Sequence, residues 1–133
     1  MISKVQEQRL PDSKALPVVS LDEFFSGNSD YGSIGCNLPE HPGLSRFFAV
    51  LTETRERPSV QDVLVEVNEI VSDPQSWPFS DRVYVLSSAT LDEVRSWLVS
   101  LQPDDVTEGW ANGVPLAAPS LSTGMKVYAA WWD

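Results

Sequence analysis

The stretch Ser59-Val-Gln-Asp-Val-Leu-Val-Glu-Val-Asn-Glu-Ile-Val71 decides the fold, because it can be read with either of two periods. Val60, Val63, Leu64, Val67, Ile70 and Val71 share one face of a helix, with Ser59 placed to cap it. Yet Val63, Val65 and Val67 also alternate, and the run is rich in β-branched side chains, which suit a half-buried pleated surface. A helix would set Val65 among the polar residues; a strand accommodates every valine. The following residues, 72–81, carry Asp73-Pro74 and Trp77-Pro78 and are turn-like. They lead into Arg82-Val-Tyr-Val-Leu-Ser87, which reads plainly as a strand. A hairpin with a long loop joins the two runs economically, so a strand is predicted over Asp62–Ile70.

Downstream, Thr90-Leu-Asp-Glu93 is a capping box, in which each end of the tetrapeptide satisfies a backbone N–H of the other. Leu91, Val94, Trp97, Leu98 and Leu101 continue it as a helix that Pro103 ends. A short strand over Val106–Ala111, a loop over Asn112–Gly124 and a last strand over Lys126–Trp132 complete the C-terminal half. Adjacent Trp131 and Trp132 must then point to opposite sheet faces. Upstream, Leu44, Phe47, Phe48 and Leu51 recur at helical spacing, predicting a helix from Pro42 to Arg55. The Gly- and Pro-rich stretch 27–43 reads as loop with one brief strand near Ser33–Cys36. Ser20-Leu-Asp-Glu23 is a second capping box opening a short helix, and Ala15–Val19 suits an edge strand. Residues 1–14 read as a loosely ordered arm. The remainder, 15–133, is expected to form a single α+β domain: a mainly antiparallel, twisted sheet with two principal helices packed on one face.

With 133 residues and 42% hydrophobic content, the chain can bury a sizeable core without metal or disulfide. Nine basic residues against 19 acidic ones give a net charge of −10. Nucleic-acid affinity rests largely on Lys and Arg displacing counterions, so neither nucleic acid nor an anionic membrane is an expected partner. An acidic field instead keeps small domains apart in solution, or steers a basic protein. A single cysteine allows no internal disulfide, and the first residues lack the apolar core of a signal peptide, so a cytoplasmic location is expected.

Catalytic signatures are sparse. Cys36 and His41 share the Gly/Pro-rich loop and are the candidate nucleophile and base, although such pairs are ordinarily distant in sequence. One cysteine and one histidine fall short of a structural zinc site, and neither a phosphate loop nor a dinucleotide fingerprint occurs. No metal and no cofactor are expected. The five tryptophans offer another signal, since tryptophan is enriched at the centres of interfaces. Trp77 and Trp110 are the candidate anchors, with Asp73, Asp81, Asp104, Asp105 and Glu108 as the surrounding charge.

Ser76-Trp-Pro-Phe-Ser-Asp-Arg-Val-Tyr-Val85, Thr90–Leu101, Pro103-Asp-Asp-Val and Gly109-Trp110 together resemble a family of small uncharacterised bacterial proteins. The resemblance covers the C-terminal half and implies no activity. In size and acidity alone the chain is also similar to the immunity proteins that neutralise bacterial toxins. The expected role is therefore non-catalytic binding of a basic protein, with immunity-type inhibition as its sharpest form. The alternatives are a small enzyme using Cys36 and His41, and an assembly or regulatory subunit.

Overall fold

In the computed structural model, which describes residues 18–25, 34, 42–67, 80–111, 114–115 and 118–132, the ambiguous run is a strand, β2 (Val60–Glu66). It pairs antiparallel with β3 (Arg82–Ser87), Val63 facing Val85 and Val65 facing Val83. The strand prevails because this part of the sheet is covered on both sides. Val63, Val65 and Val67 are wholly buried on one face, and Leu64 and Glu66 are buried on the other. A register shift between Val60 and Asp62 marks a bulge, and pairing begins two residues earlier than predicted. β2 stops at Glu66 instead of Ile70; residues 68–70, like 1–17, lie outside the described residues.

Five strands form one sheet in the order β1-β2-β3-β5-β4, every neighbouring pair antiparallel. β1 (Val18–Ser20) and β4 (Asp105–Glu108) are the edges, and β5 (Lys126–Trp131) lies between β3 and β4. Both capping boxes form. In α1 (Leu21–Phe25) the Ser20 N–H donates to Glu23 Oε1 and the Glu23 N–H donates to Ser20 Oγ, each at 3.1 Å. Thr90 and Glu93 do the same at the start of α3 (Leu91–Leu98), which tightens into a 3-10 turn over Val99–Leu101. The helix α2 (Leu44–Arg55) starts two residues later than its apolar spacing predicts. Gly43, its N-cap, has φ of 99°, a left-handed value that holds Pro42 ahead of the first turn.

The helices cover one face. Phe47 and Leu51 of α2, with Val94 and Leu98 of α3, pack on Val63, Val65, Val83, Val85 and Ala130. Trp132 seals this layer: its ring meets Phe47 edge-on at 5.4 Å between centroids, and its Nε1–H donates to Leu101 O at 2.8 Å. Trp131 points the other way and stays half-buried, opposite Arg82 in the register. The opposite face carries Val18, Leu64, Tyr84, Leu86, Val127 and Ala129, with Trp110 laid over them. Of the brief strand expected near Ser33–Cys36, Ile34 is described: it is buried and makes an isolated parallel bridge with Ser80. No helix among the described residues is long and apolar enough to cross a membrane.

Candidate functional site

The route from α3 into β4 builds a groove. The 3-10 turn ends on Gln102, whose φ of 55° and ψ of 48° put it in the left-handed region. Pro103 redirects the chain, and the Asp104 N–H donates to Trp131 O at 2.8 Å, docking the new strand on β5. Between α3 and β4 this leaves a cleft of about 420 Å³. Val99, Pro103 and Val106 supply its apolar lining, and Arg95, Gln102, Asp104 and Asp105 its polar lining. Val106 is buried, whereas Val99 is 69% exposed, a large apolar side chain left facing water.

Side chains from the same elements close the outer edge of β4. The Val106 N–H donates to Asp105 Oδ1 at 2.7 Å, and Arg95 Nη2 donates to Val106 O at 3.1 Å. An edge strand otherwise offers unpaired backbone groups to any passing chain, and these two bonds satisfy those of Val106. Arg95 also bonds Asp105 Oδ1 at 3.1 Å and lies 3.8 Å from Asp92. One guanidinium thus faces Asp92 and Asp105, and the exposed Asp104 lines the same groove. Further along β4, Glu108 pairs with Lys126 at 3.5 Å. These exposed ion pairs are each worth about 0–1 kcal/mol and shape the potential more than they hold the fold.

Of the residues singled out from sequence, Asp104 and Asp105 line the groove and Glu108 stands at the far end of the same strand. Trp110 follows Gly109 and is half-buried on the second sheet face, its ring 4.7 Å from that of Tyr84. Asp81 sits just before β3, where its carbonyl accepts from the Trp132 N–H at 2.9 Å; its Oδ1 is buried with no hydrogen-bond partner among the described residues. Cys36, His41, Asp73 and Trp77 lie outside the described residues.

Arg95, Val99 and Gln102 were missed as groove residues, since the helical pattern marked them only as a polar or terminal face. A second cluster was also missed. Glu66, 1% exposed, accepts from Tyr84 OH at 2.7 Å and from Arg82 Nη1 at 3.3 Å. The Tyr84 oxygen in turn accepts from the Ala111 N–H at 3.3 Å. Burial, then the neighbouring Glu66 charge, pushes the Tyr84 phenol well above its ordinary 10.0. Such a phenol is a poor proton donor, and the cluster ties the Trp110 segment to the sheet.

The chain is similar over residues 1–130 to the model of the Uncharacterized protein YfbO family. It is 36% identical to the Uncharacterized protein YfbO of Escherichia coli (strain K12) over 118 residues, 88% of this chain and 83% of that protein. The likeness therefore extends well beyond the C-terminal half in which it is legible by eye. No solved structure matches. The chain belongs to the YfbO family.

Proposed function

We propose that this YfbO-family chain is a non-catalytic recognition module that holds part of a basic protein partner in the groove between α3 and β4. A single juxtaposition supports the reading: Val99, 69% exposed, lines a cleft whose rim carries the carboxylates of Asp104 and Asp105. Apolar surface left open beside a polar rim is the common form of a protein-binding site. The chain-wide charge of −10 steers a cationic partner toward it. Neutralisation of a basic toxin or nuclease is the sharpest form of this reading.

Affinity capture from host lysate tests it when run in parallel on the native chain and on Val99→Arg and Asp104→Lys. One protein of high isoelectric point should be retained by the native chain and lost from both variants, with their melting temperatures unchanged. Equal retention by all three would place recognition elsewhere.

A further inference from the structure

We propose that β4 is a latent pairing edge for a second copy of this chain, held shut by a latch made of Arg95 and Asp105. The edge lies beside the groove, and its role is separate from the occupancy proposed above.

The β4–β5 ladder fixes which backbone groups of β4 point outward. The Gly109 N–H donates to Val127 O at 2.7 Å, and Thr107 and Asp105 face Ala129 and Trp131 in the same register. Hydrogen-bonded positions alternate along an antiparallel ladder, so the N–H and C=O of Val106 and Glu108 face away from β5, on the outer side of the sheet. Both outward groups of Val106 are already taken. Its N–H donates to Asp105 Oδ1, and its O accepts from Arg95 Nη2, which also donates to Asp105 Oδ1 at 3.1 Å. A charged side chain laid over an edge in this way blocks the approach of another strand.

What the latch holds back is a second β4. A two-fold pairing centred on Thr107 sets Val106 opposite Glu108 of the second copy, so that their outward N–H and C=O groups exchange bonds. It also sets Thr107 against Thr107 and Asp105 against Gly109, with no two carboxylates directly opposed. Thr107 is exposed and free of the core, as such a contact requires. A pairing centred on Val106 would instead oppose Asp104 and Glu108, two like charges. The Thr107-centred register is thus self-complementary, the condition for a two-fold interface. The other edge, β1, offers three residues. The latch is also sensitive to its medium. The Arg95 and Asp105 side chains are 45% and 46% exposed, so salt weakens their pairing while it screens the repulsion between two chains of charge −10.

The test combines light scattering with a cross-link at the two-fold axis. In the Thr107-centred register the opposed Thr107 positions are a non-hydrogen-bonded pair, with Cα atoms about 4.5 Å apart and within disulfide reach. Thr107→Cys is therefore placed in a Cys36→Ser chain, with and without Arg95→Met. At low salt the chain that keeps Arg95 should scatter as a monomer and resist cross-linking under mild oxidation, whereas Arg95→Met should double in mass and cross-link. Raising the salt should bring the chain that keeps Arg95 to the same cross-linked dimer; this arm decides alone if Arg95→Met does not fold. Glu108→Pro removes an outward N–H without touching the β4–β5 ladder, and should return Arg95→Met to a monomer. A folded Arg95→Met chain that stays monomeric at every salt concentration would overturn the proposal. So would a dimer that Thr107→Cys fails to cross-link, since its copies would meet elsewhere.

Discussion

Glu66 has one of the least expected environments in the chain, a carboxylate 1% exposed on a sheet face otherwise lined by Leu64, Leu86 and Val127. It is tolerable there because Tyr84 and Arg82 both donate to it; an unpaired charge at such a site is strongly destabilising. The pairing has a consequence for alkaline stability. Folding raises the Tyr84 phenol above 10.0, mainly through burial and secondarily through Glu66, so the native state holds this proton more tightly than the unfolded chain. The resulting stabilisation is complete below pH 10.0 and is lost as pH climbs beyond it. Thermal melts should therefore show the native chain weakening as pH rises above 10.0, and Tyr84→Phe losing less over the same interval. At neutral pH that variant should cost on the order of 1–3 kcal/mol, because Glu66 loses a buried donor. Parallel pH profiles for the two proteins would remove Tyr84 from this account. None of it was legible beforehand: Glu66 reads as one acid in a stretch without basic residues, and only the β2–β3 register sets it opposite Arg82.

Among the elements, those built from local interactions were the most readable. Both capping boxes form as their tetrapeptides imply, since every participating atom lies within three residues of its partner. Element ends were less secure. α2 starts late because of the backbone of Gly43, and β2 is displaced by its bulge, neither of which leaves a mark in the apolar pattern. The bulge is also where the loop before β5 is anchored, by the two bonds between Gln61 and Ser120 and Ser122. Gln61→Ala should consequently raise hydrogen exchange and proteolytic cleavage over residues 118–125. Its cost in global stability should be about 1–3 kcal/mol, two hydrogen bonds at ~0.5–1.5 kcal/mol each. Unchanged exchange in that loop would mean that other contacts hold it. The tie joins residues 59 and 61 positions apart, a separation at which sequence pattern carries no signal.

At the scale of the whole molecule, a net charge of −10 governs encounter more than residence. For a partner confirmed by capture, association should slow steeply with added salt while dissociation changes little; Val99→Arg should chiefly speed dissociation. Salt-independent association, measured by stopped flow, would detach recognition from the acidic field. The α+β class, the capped helices and the strand at Arg82 followed from the residues alone, because period, caps and turn chemistry act over a few neighbours. Tertiary structure alone decided which charges meet. Arg95 reaches Asp105 across 10 residues and Tyr84 reaches Glu66 across 18, through pairings that local preference does not specify. It likewise laid Trp110 on Tyr84 and opened a cleft beside Val99, since a side chain's surroundings depend on which strands become neighbours.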